Sequence, residues 1–194
     1  SLKRADKDFL PSPTVFNHEL LQSFSFHLFA KRPIETIVTH SSLKRDLMRR
    51  IALSALQIRF NVQQRQDPLF TFVDFNQLNW PREGCAVCSL DLTTDPSSWR
   101  GAVKLAVQGI TRLGVHGLTK TELDRYKQAI LSEAEQAAAQ SDQMGNEEVL
   151  SQLMEAESCG HPFMHPQDRL KKTLDAINSI TIEEANDVAQ ELCE

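Results

Sequence analysis

No stretch of this chain strings together the roughly 18 apolar residues that a membrane-crossing helix needs, and no membrane insertion is expected of it. The basic excess of a nucleic-acid surface is missing as well. Lys and Arg number 21 against 26 Asp and Glu, a net charge of −5 at pH 7, so no nucleic-acid partner is expected. Cysteines are scarce. The four, Cys85, Cys88, Cys159 and Cys193, lack the dense framework spacing of a small secreted domain and read as reduced thiols inside a cell or organelle. Residues 1–8 carry neither an apolar signal core nor an initiator Met, and both ends of the sequence read as cut.

Catalytic and metal motifs are equally hard to find. None of the histidines, His18, His27, His40, His116, His161 and His165, completes H-E-x-x-H or H-x-x-E-H, the spacings that set two ligands and a base on one helix face. Cys85 and Cys88 form a C-x-x-C, but on a strand that spacing sends the two sulfurs to opposite faces. Cys159, His161 and His165 sit in a stretch bent by Pro162 and Pro166, three candidate zinc ligands without a fourth. Phosphate-binding loops, dinucleotide fingerprints and nucleophile elbows do not occur. Glu133, Glu135, Glu147 and Glu148 read as solvated helix faces. No catalytic and no metal residue is therefore assigned, and no cofactor is expected within this segment.

A length of 194 residues suits one domain with a core of its own. Residues 1–16, rich in charge and carrying Pro11 and Pro13, read as a linker or frayed arm, and 17–194 as a single unit. Leu20, Phe24, Phe26 and Leu28 alternate with Ser23, Ser25 and His27, the pattern of a half-buried strand ended by Lys31, Arg32 and Pro33. Leu43, Leu47, Ile51, Ala55 and Ile58 then form a helical stripe, with Ser41 or Ser42 as its cap. Asp67-Pro68 interrupts it. Strands are expected over 69–75 and 85–93, antiparallel across a polar turn. Asp95-Pro96 opens a helix with the stripe Trp99, Val103, Val107, Ile110 and Leu113, closed by Gly114 and Gly117. Thr119 and Glu122 spell a capping box for a long helix to about residue 140. Another helix is expected over 146–157, and Thr181 with Glu184 caps the last.

The order defines an α+β fold: a small, mostly antiparallel sheet, helices on one face and a helical C-terminal half. Three strands make a narrow sheet, so a further strand from outside the segment is expected. Lys44, Arg45, Arg49 and Arg50 lie one helical turn apart and read as a solvated face, or else as a surface for an acidic partner.

Residues 117–123 (G-L-T-K-T-E-L), placed between two helices and followed by Tyr126 and Lys127, resemble the G-x-T-x-x-E-L junction of pitrilysin-type (insulinase-like) zinc peptidases. Residues 180–185 are similar to that family's I-T-x-E-E entry into the final helix of its repeat. Residues 55–60 with 67–70, 82–90 and 99–107 resemble its bacterial-type and plastid branches, the last two the plastid member above all. The resemblance spans about 17–192. It implies one of the repeated α+β units that pair to enclose a chamber, in a zinc metalloendopeptidase that removes transit peptides from imported precursors in the plastid stroma. Zinc would belong to another unit of that enzyme, since H-x-x-E-H is absent here. The expected partners are other repeat units of the same polypeptide and precursor transit peptides. Arg59 and Arg82, each beside an expected strand, are the candidate substrate contacts, or else salt-bridge partners. A non-catalytic scaffold of the same fold is the alternative; an independent thiol or zinc enzyme built on Cys85, Cys88, Cys159 and His161 is a third reading.

Overall fold

A computed structural model describes residues 23–66, 69–80 and 83–193. The expected 1–16 arm, Leu20, the Asp67-Pro68 break and Arg82 lie outside the described residues. The strands are β1 (Phe24–Pro33), β2 (Phe72–Trp80) and β3 (Cys85–Thr94). The helices are α1 (His40–Gln66), α2 (Trp99–His116), α3 (Lys120–Ala139), α4 (Asn146–Cys159), α5 (Pro166–Asn178) and α6 (Ile182–Cys193). The α+β class and the antiparallel sheet agree with the sequence.

β3 is the central strand, antiparallel to β1 on one side and β2 on the other. Directly opposed residues share a face, so the register sorts all three strands at once. Phe26, Val73, Phe75, Cys88, Leu90 and Leu92 face the helices and join one core with Leu47, Ile51, Ala52, Ala55, Leu56, Phe60 and Phe70. Phe24 on the same face stacks on Trp99, ring centroids 5.2 Å apart. Among the described residues β1 and β2 pair only with β3, so each leaves an edge.

Element ends moved where local chemistry outweighed periodicity. β1 continues to Pro33, a residue tolerated at the end of an edge strand. β2 starts three residues later than expected and runs through Asn76, Gln77 and Asn79, polar residues that its edge position accommodates. Thr39, not Ser41 or Ser42, caps α1. Its hydroxyl accepts from the Ser42 N–H, while Ser42 Oγ accepts from the Thr39 N–H, a reciprocal box with serine in the glutamate's place. α2 begins at Trp99 rather than at Pro96: Asp95 Oδ1 accepts from the Ser97 N–H, and this turn occupies 95–98.

Two apolar stripes also rotate. In α1 the buried line passes through Leu56 and Phe60, leaving Ile58 outside. In α2 it is Ala102, Ala106 and Leu113 that are buried, while Trp99 and Val107 are partly exposed. The small residues allow close helix approach: a Cβ on Gly109 would come within 2.5 Å of Phe60 Cε1. α5 is an addition, as Pro166 is not merely a helix breaker. It takes the first helical position, where no N–H is needed, and the His165 ring accepts from the Gln167 N–H.

Candidate functional site: the open face of the sheet

The register that sends one set of side chains into the core sends the other to a face that none of the described helices covers. Five rows cross it: Ser25, Thr93 and Phe72; His27, Asp91 and Asp74; Phe29, Ser89 and Asn76; Lys31, Val87 and Leu78; Pro33, Cys85 and Trp80. Rows recur about every 6.8 Å, two residues of extended chain.

A hydrogen-bonded chain runs through the middle of this face. The His27 ring donates from Nδ1 to Asp91 Oδ1 at 2.6 Å. Ser89 Oγ lies 2.9 Å from Asp91 Oδ2 and 3.1 Å from Asn76 Oδ1, sharing its one proton between them. Asn76 Nδ2 donates to Asp74 Oδ2 at 2.6 Å. Asp74 and Asp91 are direct cross-strand partners, a like-charge pairing that costs stability unless a cation attends it. His27, when protonated, supplies one to Asp91. Around this polar line stand large apolar side chains left in solvent: Phe29 (58% exposed), Leu78 (54%), Phe72 (51%) and Trp80 (45%). Phe29 and His27 stack, their rings 4° from parallel. The exposed His27 ring and the part-buried Asp74, Asn76 and Asp91, joined through the buried Ser89 and rimmed by Phe29, Phe72 and Trp80, can hold an extended peptide. The face has no nucleophile–base pair aimed at a common point.

Arg59 sits elsewhere. It projects from α1 toward the α2–α3 junction, where Nε and Nη2 each donate at 2.8 Å to one oxygen of Glu122, and Nη2 reaches Gly117 O at 2.9 Å. The bidentate guanidinium holds the Glu122 carboxyl down to about 2 from its ordinary 4.5; burial opposes it, and hydrogen bonds from Thr119 help. This tie also lines a cavity of about 350 Å3 between α1 and α2, beside Ile58, Val62, Leu105, Gly109 and Arg112.

The basic cluster is a surface whose cations are paired within the chain, with the Arg45 and Arg50 side chains 41% and 45% exposed. Lys44 pairs with Glu184, Arg45 with Glu35 and Glu191, Arg49 with Glu35, and Arg50 with Glu133. These pairs bind α1 to α6, to α3 and to the segment after β1.

Nor do the sulfurs and imidazoles gather. Cys85 and Cys88 point to opposite faces of β3, and both are buried. His161 Nδ1 accepts from the Ile37 N–H at 2.9 Å, and His165 caps α5. Burial raises the Cys88 and Cys159 thiols and pushes Cys193 up to about 11, so these three are not poised thiolates. Among the described residues no three His, Cys, Asp or Glu side chains converge as a metal group.

The fold is similar to that of insulinase-type protease units of known structure. An insulinase family protease of Yersinia pestis superposes over 91% of this chain and 38% of its own, with TM-score 0.75 and 16% identity. A peptidase M16 inactive domain of Pseudomonas fluorescens covers 86% of this chain and 38% of its own, with TM-score 0.59 and 15% identity. At such identities the likeness is one of fold. No family model matches the chain. Sequence relatives supply the particular: the chloroplastic stromal processing peptidase of Arabidopsis thaliana is 38% identical over 187 residues, and that of Pisum sativum 36% over 186. The chain is homologous to a segment of these peptidases. That segment takes in 95% of the chain but only 15% of either relative's length.

Proposed function

We propose that this chain is a non-catalytic unit of a plastid stromal zinc peptidase, and that its open sheet face forms part of the chamber wall against which a precursor's transit peptide is held for cleavage elsewhere in the polypeptide. The observation that carries the reading is the face itself. A chain homologous to a segment of a processing peptidase leaves uncovered a strip of hydrogen-bonding groups flanked by Phe29, Phe72, Leu78 and Trp80. Positioning is worth several kcal/mol of a cleavage barrier in general, and a wall opposite a reacting centre supplies it through contacts of this kind. Zinc would be held by residues outside this chain, and the other units of the polypeptide are its first partners. Arg59, held by Glu122, serves here by fixing the α2–α3 junction rather than by touching substrate.

The test is processing of a precursor by the full-length polypeptide carrying Phe29→Ser with Asp91→Asn. A rise of tenfold or more in KM, with kcat within about twofold and zinc content unchanged, supports the wall. Unchanged KM refutes it and leaves the scaffold reading.

A further inference from the structure

A second uncovered surface lies on α4. The helix turns Val149, Gln152, Ala156 and Cys159 inward, and of these only Cys159 is fully buried. Its other side presents Leu150, Leu153 and Met154 (63% exposed) at the one-turn spacing of a helical stripe, with Phe163 exposed just beyond its end. Glu147 and Glu157 stand at the two ends of this stripe, and Glu148 and Glu155 lie further round the helix beside Ser151 and Gln152. None of these glutamates has an ion-pair or hydrogen-bond partner among the described residues, and α4 carries no basic residue at all. Of the chain's four methionines, Met48 is in the core, and the other three, Met144, Met154 and Met164, surround this helix. Met144 and Met164, with Ala134, Ala137 and Gln152, line a groove of about 330 Å3 beside it, in which Arg169 is the single cation among the described residues.

An apolar stripe on a helix whose only charges are unpaired carboxylates complements one partner chemistry: an amphipathic segment that carries Arg or Lys beside its own apolar stripe. Methionine adds tolerance, because an unbranched thioether side chain repacks against partners of differing shape at little cost. The 14 residues of α4 span about 21 Å, enough for a four-turn partner. Plastid transit peptides are amphipathic, Arg-rich and poor in acids. We infer that the α4 face is a docking surface for a basic amphipathic helical segment of the precursor, distinct from the open sheet face. This rests on the reading of the chain as part of a transit-peptide-processing enzyme, and names where a substrate segment is captured before or beside the extended stretch.

Hydrogen exchange on the full-length polypeptide, with a synthetic 20-residue amphipathic peptide of Arg, Ser and Leu, tests it. A scrambled peptide of the same composition is the control. The amphipathic peptide should slow exchange over 146–159, and the scrambled one should not. By fluorescence anisotropy, Leu153→Asp with Met154→Asp should weaken binding at least tenfold. Changing the four glutamates to Gln should weaken it about fivefold and flatten its salt dependence. All six side chains are exposed, so folding is not at risk. Equal binding of the scrambled peptide overturns the inference. So does an α4 already protected in the free polypeptide, which would mean that another unit or a second copy covers it. Protection confined to 72–80 and 85–94 also overturns it and leaves the chamber wall standing; protection of 146–159 with processing indifferent to the sheet-face variants does the reverse.

Discussion

Glu122→Gln isolates the charge at the α2–α3 junction. Glutamine can still accept from the Thr119 N–H, as Glu122 Oε2 does at 2.8 Å, so the capping box survives in outline while the ion pair with Arg59 does not. A carboxyl held at about 2 instead of 4.5 corresponds to about 3 kcal/mol of stability at neutral pH in the fully coupled limit. The side chains of Arg59 and Glu122 are 30% and 21% exposed, so water screens part of that, and about 1–2 kcal/mol should remain. The sign follows from the direction of the shift. A depressed carboxylate contributes fully above its unfolded pKa, and the contribution is lost as pH falls from about 4.5 toward 2. Urea unfolding followed by circular dichroism should therefore show the variant about 1–2 kcal/mol less stable at pH 7, with the gap closing below pH 4. Glu122→Ala also gives up the bond to the Thr119 N–H and should lose about 1 kcal/mol more. If Glu122→Gln lies within 0.3 kcal/mol of the parent at pH 7, or its deficit is unchanged at pH 2.5, the junction is not held by this pair.

Gly117→Ala should cost about 2 kcal/mol or more in the same measurement. The backbone there has φ +66°, and an added Cβ would stand 2.4 Å from Asn186 Oδ1, the acceptor for the Leu118 N–H. Asp46→Asn should raise the melting temperature at pH 7. Burial pushes the Asp46 carboxyl up against the opposing pull of Arg50, Arg49 and His161, so ionisation destabilises the folded chain, and the advantage of asparagine should vanish as pH falls through the raised value. Gly109→Val should destabilise by about 1–3 kcal/mol by driving α2 off Phe60; an unchanged midpoint would mean that the two helices can separate freely.

Much of the fold was legible because period two and period three-point-six leave different marks. The alternation around His27 located one strand and placed Ser25 and His27 on its polar face, and the strand expected over 85–93 is β3. What alternation could not supply was register. Only the pairing of β1 with β3 sets His27 opposite Asp91, and only β2, whose polar residues carry no clean alternation, brings Asp74 and Asn76 alongside. The capping boxes at Thr119 and Thr181 were readable because their chemistry is local: Glu184 accepts from the Thr181 N–H as Glu122 does from Thr119. The α2 stripe was misplaced for a related reason. Large apolar residues such as Trp99 and Val107 dominate a periodicity, but the tight interface with α1 wanted Ala102, Ala106 and Gly109. Arg59 is 63 residues from its partner Glu122, a separation no local pattern spans.

The distribution of charge joins these observations. The sequence is acidic by only five, which by itself favours no partner strongly. Folding sharpens it. Lys44, Arg45, Arg49, Arg50 and Arg59 each pair with a carboxylate of the same chain, and Lys127 donates to Ile180 O, so these cations tie α1 and α3 to α6 and to the junction. The four glutamates of α4 have no such engagement, and Asp74 and Asp91 stand opposed on the open face, the His27 imidazole reaching Asp91 alone. Carboxylates that stand beside exposed apolar side chains on both surfaces favour basic, apolar-interleaved chains over acidic ones. Raising ionic strength should therefore weaken capture of a basic peptide by this unit more than it weakens the unit's own partly buried ion pairs, because screening acts chiefly on exposed charges. A peptide affinity that does not fall between about 50 mM and 500 mM salt, while the fold persists, would show that apolar contact alone governs both surfaces.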